Sequence, residues 1–566
     1  MSFRLDVQEK FMSVSISNAQ ILSVVEKLRR NKQLQAVFAV LILFFALFIV
    51  FPTVMIFKQS LTKAGSFSLE NFKTVLLNAK VFLAIWNSMK VSFLGAIITT
   101  FLAFILAFAQ NFTNIPARLK KIVRVLAVFP MLIPTITYGF AVIYSFGRNG
   151  LLTRLFGHQL FDFYGFNGLV FCYVVYTFPV AFILLNNAMS YIDKRFLIVS
   201  TLMGDSAFKT FRISVLTPLL GTIAVSIVQC FFMSFTDFGI PASIGGRYLV
   251  ISELLFNTML GSLPDFHQGA VIAILILLPS VVSILLLHYL QKFNIRYSKI
   301  VPTDLRKNHL RDGFFALISA AIITALLSIF VVVIISPFMK QYPYDLSFSL
   351  EHLRLVLSDS VLVKVFRNSL SASFFTALFG TILVYASAIV TSRTNVHPHA
   401  KIFIESVAQV SNTIPGMVLG IAFMLAFKKS ILHNTLALII CCNLIHFFAT
   451  PFLMMKGTLD KMNAGWETTA SLLGDSWFKT VRRIITPNVF RTLVSVFCFL
   501  FVNGMHTTSA IIFLVGARTM VVTAKIQELQ HFARFNEIFI LSLMILATNL
   551  LMKGLEGLSS SLGKRL

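Results

Sequence analysis

Apolar runs of about twenty residues recur twelve times along this chain, each long enough to cross roughly 30 Å of hydrocarbon as a helix. They lie near 34–57, 85–109, 122–145, 168–189, 215–235 and 269–290, then near 314–339, 369–390, 402–427, 431–455, 489–514 and 537–553. Lipid offers the backbone no hydrogen-bonding partner, so runs of this kind fold as helices that satisfy their own amides. With 57% hydrophobic and only 12% charged residues among 566, a soluble domain with a charged shell is excluded. The expected fold is an all-α integral membrane protein of about twelve transmembrane helices.

The net charge of +26 does not signal nucleic acid, because the basic residues are spread over short loops and form no single stripe or tail. They read as topology. With a cytoplasmic amino terminus, the inside loops hold Arg118, Lys120 and Lys121, then Lys194, Arg195, Lys209 and Arg212. They continue with Lys292, Arg296, Lys299, Arg306 and Lys307, then Lys456, Lys461, Lys479, Arg482 and Arg483, whereas the outside segment 236–268 holds only Arg247. The positive-inside bias therefore predicts a multi-pass membrane protein with both termini and both "GDS" loops, at Gly204 and Gly474, cytoplasmic. The stretch from Lys58 to Lys90 is more basic than that rule favours. Residues 1–33 read as a polar cytoplasmic tail, without the small-residue cleavage pattern of a signal peptide. Cys172, Cys230, Cys441, Cys442 and Cys498 all sit in apolar runs without metal-ligand spacing, so they read as small core residues.

The chain repeats itself. "SFSLENFKTVL" at Ser66 matches "SFSLEHLRLVL" at Ser347, and in the same register "IPTITYGFA" at Ile133 falls on "IPGMVLGIA" at Ile414. "GDSAFKT" at Gly204 returns as "GDSWFKT" at Gly474. Same order on the same side implies two parallel six-helix halves, since six spans bring the chain back to its starting face. The halves are 34–300 and 301–566, with polar loops at 193–218 and 460–487.

The repeated phrase is no phosphate loop. Phe208 and Phe478 stand where such a loop has its second glycine, and no glycine-rich cradle precedes them, so no nucleotide or other cofactor is expected on this chain. Each copy reads instead as helix, break, helix, then Pro218 or Pro487 ahead of the next span. Asp205 with Ser206, and Asp475 with Ser476, suit helix amino-terminal caps. Beyond the break, Phe208, Phe211 and Val215, and in the second copy Trp477, Val481, Ile484 and Ile485, recur at helical spacing opposite Lys and Arg. An amphipathic helix lying on membrane lipid is the plainer reading of one copy. Two related copies favour docking onto a partner of twofold character.

At these residues the chain resembles the membrane subunits of type I, binding-protein-dependent ABC importers, whose mark is a cytoplasmic loop with Glu-Ala-Ala, then Gly, then an aromatic and Pro. "ETTASLLGDSWFKTVRRIITP" follows that pattern from Glu467 through Gly474 and Phe478 to Pro487, with Thr468 and Thr469 departing from it. The first copy keeps Gly204 and Pro218, lacks the acid and carries one extra residue before the proline. The resemblance covers about residues 34–560 and implies a fused permease whose loops are coupling helices. It further implies two copies of a cytoplasmic ABC ATPase, which carry ATP and Mg, and an extracytoplasmic substrate-binding protein, with ATP hydrolysis absent from this chain. "TDFGIPASIGG" and "TTSAIIFLVGARTMVVTAKI" resemble the ferric-ion and aminoethylphosphonate permeases, which implies ferric iron or a phosphonate or phosphorylated solute.

Pathway residues are expected where polar groups and prolines interrupt spans. Pro130 and Pro134 share one helix, and Ser411, Asn412, Thr413 and Pro415 stand at the corresponding level. Asp237 and His506 mark the ends of the fifth span of each half and could touch a passing metal, though two ligands make no closed site. The alternative is an ion-gradient-driven secondary transporter of two six-helix repeats. It would need buried acids along the spans, and these spans are nearly free of them at their centres.

Overall fold

A computed structural model describes residues 32–63, 65–159, 162–290, 292, 307–394 and 398–562. The amino-terminal tail, the boundary at 300 and Arg296, Lys299 and Arg306 lie outside them. Among the described residues nine long apolar helices and three bent pairs make up to twelve spans. Spans 1, 2, 4, 5 and 6 are Gln33–Ser60, Ala79–Phe112, Phe166–Ser190, Ala207–Thr236 and Phe266–Leu287. Spans 7, 8, 11 and 12 are His309–Phe338, Ser360–Ser392, Trp477–His506 and Phe535–Ser559. All five cysteines are free, and only Cys441 is not fully buried.

The other three spans are not straight, as 122–145, 402–427 and 431–455 had suggested. Span 3 turns by 106° between Ala117–Leu132 and Thr135–Phe156, and span 9 by 109° between Lys401–Thr413 and Gly416–Phe427. The cause is Pro134 and Pro415, each of which lacks an N–H and disfavours the helical conformation in the residue before it. Ile133 is accordingly extended, with φ −116° and ψ 141°. Span 10 bends by 55° between Leu436–His446 and Ala449–Leu459, where Pro451 has no N–H to offer the Phe447 carbonyl. The segment 507–514, expected as the end of span 11, is non-helical.

Each half lends its first span to the other. Phe45 of span 1 meets Phe448 at 5.0 Å, and Phe48 and Phe51 meet Phe427 at 5.5 and 5.9 Å. Reciprocally, Phe330 of span 7 packs on Phe129 and Tyr138 of span 3 at 5.6 and 5.3 Å, and Phe315 on Phe108 of span 2 at 5.0 Å. Lipid tails are as apolar as these side chains, so packing geometry, more than water exclusion, holds the exchange together. After spans 1 and 7 the chain makes a small hairpin, Thr62–Lys63 with Ser66–Phe67 and Met339–Gln341 with Asp345–Phe348. These are the "SFSLE" repeats, and each leads into a short helix, Glu70–Leu76 or Glu351–Ser358.

The segment after the fifth span of each half folds back into the bundle and is held twice over. Asn87 and Ser88 of span 2 bond the Leu249 carbonyl at 3.0 Å and the Ile251 N–H at 2.8 Å. Asn368 and Ser369 of span 8 do the same to Met520 at 3.0 Å and Val522 at 2.7 Å. Glycines let these returning segments touch the broken spans. A Cβ on Gly239 would stand 2.3 Å from Thr135 Oγ1, and one on Gly420 2.3 Å from the Ala510 carbonyl oxygen. Gly420→Leu should therefore lose the monodisperse peak of the detergent-purified protein on size-exclusion chromatography. Gly457→Leu, where nothing lies within 4 Å, should keep it.

Candidate functional site: paired loops and a path between the halves

The two polar loops have one architecture. The helix Arg195–Leu202 ends where Gly204 N–H bonds Thr201 O and Asp205 N–H bonds Ser200 O, both at 3.1 Å. Gly204 has φ +80°, the left-handed conformation that this helix stop requires. The helix Gly465–Leu472 ends in the same way through Gly474, φ +81°, with Asp475 N–H on Ala470 O at 3.0 Å. The next helix begins at Ser206 or Ser476, whose hydroxyl accepts from the N–H of Lys209 or Lys479 at 3.3 Å in both copies. The serines are thus the caps. The aspartates, expected to share that role, instead pair with the lysine one turn on, Asp205 with Lys209 at 2.6 Å and Asp475 with Lys479. Asp205 also accepts from Ser200 Oγ at 2.7 Å, and Lys209 followed by Ser200 holds its carboxyl below the usual carboxylate range.

The prolines do not separate these short helices from the spans. Ala207–Thr236 and Trp477–His506 are each one continuous 30-residue helix, about 45 Å at 1.5 Å per residue. Just before each proline the helix widens by one residue: Thr217 N–H reaches Arg212 O and Thr486 N–H reaches Val481 O. The threonine hydroxyls reinforce the same carbonyls at 2.8 and 2.9 Å. A wide turn accommodates the proline ring and its missing donor, and span 1 uses it too, at Ala46–Val50 before Pro52. Each loop is therefore continuous with a whole span.

Which side chains the loops present differs from the periodicity. Leu202, Met203 and Phe208 are 82%, 77% and 73% exposed, and Leu472, Leu473 and Phe478 are 71%, 79% and 60% exposed. Phe211 turns inward onto Phe104 and Phe108 at 6.2 and 5.9 Å, and Val481 is buried. Trp477 is half-buried against the core. Phe211 and Val481 therefore root the loops and leave the tips to the other residues. The exposed pairs Leu202-Met203 and Leu472-Leu473 fall outside that periodicity, and the apolar dipeptide directly before both "GDS" phrases is their sequence signal.

Glu467 is likewise committed within the chain. Arg393, at the end of span 8, donates to both its oxygens at 2.5 and 2.6 Å and to the carbonyls of Met462 and Asn463 at 2.9 and 2.8 Å. The Arg393 side chain is 5% exposed, and this two-pronged bond pins the second loop to the bundle. In the register of the repeat the first half has Phe112 and Leu197 at these positions, so its missing acid comes with a missing arginine.

The loops share an end of the bundle with a path between the halves. His267, opening span 6, bonds the Gln59 carbonyl at the close of span 1, 3.0 Å away, so span 6 runs from that end toward the loops. Near the loop end its Ile284 lines a cavity of about 220 Å³ with Glu405, Asn412, Thr450 and Lys456. A second cavity of about 180 Å³ continues to Ser411, Pro415 and His446, with Thr236 of span 5 opposite. Ser411 donates to the Ile445 carbonyl, and Thr413 turns back to Gln409 O at 2.8 Å. In the first half the Pro130 carbonyl accepts from the buried Tyr138 hydroxyl, and Leu132 O at the Pro134 break accepts from Asn549 at 2.9 Å. The structure thus brings Ser411, Asn412 and Pro415 to the path and ties the Pro130–Pro134 break to its own second limb through Tyr138 and to span 12 through Asn549. Asp237 is buried and accepts the Ile240 N–H at 2.9 Å, capping the helix Gly239–Ile244. His506 closes span 11. No group of three or more His, Cys, Asp or Glu suited to a metal occurs among the described residues.

Two interlocked six-span halves, a mirrored pair of loops at one end and a polar path between them define a fused two-half membrane permease. The profile of the binding-protein-dependent transport system inner membrane component matches twice, over residues 99–297 and 384–560, and the chain belongs to that family, with the type I ABC permease fold. A ferric transport system permease protein of Actinobacillus pleuropneumoniae is 27% identical over 517 residues, 86% of this chain and 72% of that one. A Haemophilus influenzae protein bearing the name of a ferric transport system permease is 26% identical over 505 residues, 85% of this chain and 78% of its own. A Helicosporidium protein named as a sulfate transport system permease is 25% identical over 241 residues, 41% of this chain but 85% of its own, as a half-length relative should be.

Three outcomes follow from the loops. A Cβ on Gly474 meets nothing within 4 Å, so the obstacle to substitution is the backbone alone. Gly474→Val should weaken the helix stop by about 1–2 kcal/mol and lower transport, and Gly474→Asn should restore most of it. A bulky side chain clashes with nothing here, so accumulation in the membrane should be normal on immunoblots. Arg393→Met, which leaves Glu467 unpaired, should cost up to about 3 kcal/mol in thermal unfolding. The Asp205–Lys209 contribution is present above the carboxyl's ordinary pKa and is lost only as pH falls through its lowered folded value. Transport compared between wild type and Asp205→Asn should therefore differ by a constant factor from pH 5.5 upward, an order-of-magnitude bound set by the ordinary carboxylate value of about 3.9.

Proposed function

We propose that this chain is the membrane-spanning subunit of an ATP-driven importer for ferric iron, with its two loops held by two copies of a cytoplasmic ABC ATPase. The carrying observation is the matched pair of exposed apolar tips, Leu202, Met203 and Phe208 against Leu472, Leu473 and Phe478. Each is raised on a glycine-stopped elbow and rooted in a span-long helix. ATP and Mg are bound by the partner, and an external binding protein delivers the cargo to the opposite face. The names of the two long relatives support iron, and a phosphonate or phosphorylated solute is the competing cargo.

Closure of the ATPase pair draws the elbows together, and each continuous helix carries that motion through the bundle. Span 5 ends at Asp237, whose carboxylate caps the returning segment that presses, through Gly239, on the start of the second limb of span 3. The break at Pro134 is thus the point where a pull at the loop becomes a change in the path. Rigid-body rocking of two repeats is the physical form of such alternating access.

The experiment is co-purification of the tagged chain with the ATPase of its own transport system, beside uptake of radioactive ferric iron by cells lacking the native gene. Replacing Leu202, Met203 and Phe208 together with Ser should remove most of the bound ATPase and at least tenfold of the uptake, without changing the amount of chain in the membrane. The second-loop triple should do at least as much. Undiminished ATPase capture by a chain altered at both tips would refute the docking assignment.

A further inference from the structure

Along one face of the first limb of span 9, Glu405, Gln409 and Asn412 follow one another at helical spacing and line the path between the halves. The two cavities share Asn412 and Thr450, and from Glu405 toward His446 these polar groups form a track through an otherwise mainly apolar wall. In the register of the repeat the first half has Arg124, Val128 and Met131 at these places, so the track belongs to the second half alone. At about 30 Å³ per water, cavities of about 180 and 220 Å³ hold some six or seven waters each, room for an ion with its inner shell.

Glu405 accepts from Lys456 Nζ at 2.5 Å, but the two side chains are 40% and 27% exposed. An ion pair so open to water is weak and exchanges readily, unlike the buried two-pronged Arg393–Glu467 bond. We infer that Glu405 is a transit site for a cationic cargo at the loop end of the path, with Lys456 as its resident counter-ion. An arriving ion displaces the ammonium and takes the carboxylate together with the neutral oxygens of Gln409, Asn412 and Thr450. These are hard donors of the kind a highly charged cation prefers. The tethered ammonium then returns to the carboxylate and releases the ion from it. No bond is made or broken other than these ionic contacts. Asymmetry of the halves is thereby functional: one half supplies the track, and the other closes it with Ile284 and Thr236.

This inference rests on the reading of the chain as a ferric importer, and wild-type uptake tests that reading separately. Cells lacking the native gene are complemented with wild type, Glu405→Gln, Glu405→Asp or Lys456→Met and supplied with radioactive ferric citrate. If wild type restores no iron uptake, the importer reading fails before any variant is compared. Given wild-type uptake, Glu405→Gln should lower the rate at least tenfold with membrane amount and ATPase co-purification unchanged, and Glu405→Asp should stay within about threefold. Lys456→Met should slow uptake and purify with more bound iron than wild type, because the releasing ammonium is gone. Wild-type rates with Glu405→Gln would overturn the transit site, and no excess iron on Lys456→Met would overturn the counter-ion. Faster uptake by Glu405→Gln with slower uptake by Lys456→Met would show that the species in transit is an anion.

Discussion

A backbone amide inside hydrocarbon has no water to fall back on, and the non-helical features of this bundle are organised around that constraint. Where the chain leaves the helix, a side chain from another element takes up the freed group. Asn549 reaches the Leu132 carbonyl at the Pro134 break, Ser411 the Ile445 carbonyl near the bend of span 10, and Ser88 and Ser369 the first N–H groups of the helices Ile251–Leu260 and Val522–His531 in the returning segments. At Pro218 and Pro487, where the chain stays helical, a wide turn with a threonine hydroxyl does the same work within one span. At these places neighbouring side chains complete the backbone and couple the break to the helix beside it.

Helix continuity bears on the loops as well. Had Pro218 and Pro487 interrupted the helices, the elbows would hang from flexible joints. Because the wide turns carry the helix through them, each elbow opens a continuous helix about 45 Å long at 1.5 Å per residue over 30 residues. The exchange of spans 1 and 7 sets each of these helices in a bundle to which both halves contribute. Phe48 on Phe427 and Phe330 on Tyr138 are contacts of that exchange. The two acidic ion pairs divide by burial: Glu467 is locked to Arg393 and holds the loop, and Glu405 is open and exchangeable.

Much of the architecture could be read from residue order alone. Span number, the parallel repeat and the glycine stops of both loops follow from run length, from matched phrases and from the one residue type that accepts a left-handed turn cheaply. The tips were read less well, because helical spacing tells which residues share a face but not which way that face looks. Phe211 and Phe208 lie three residues apart; one packs edge-on against span 2 and the other is exposed. Asp205 and Asp475 were placed as caps because Asp and Ser are both good caps, and the chain had to choose between adjacent candidates. Lysine one turn on decided it.

By itself the sequence determined what local chemistry dictates: lengths that cross a bilayer, prolines that end or widen a helix, glycines that stop one, and a duplication whose halves keep their order. Only the tertiary structure decided what depends on residues far apart in the chain. It turned Phe211 and Val481 inward, gave Glu467 to Arg393, joined Glu405 and Lys456 beside a water-sized path, and exchanged the first spans of the halves. The reason is that a side chain's type fixes what it can bond to, whereas its partner is fixed by which helices stand next to each other. In lipid that adjacency is set by packing over the whole bundle and is written in no single stretch.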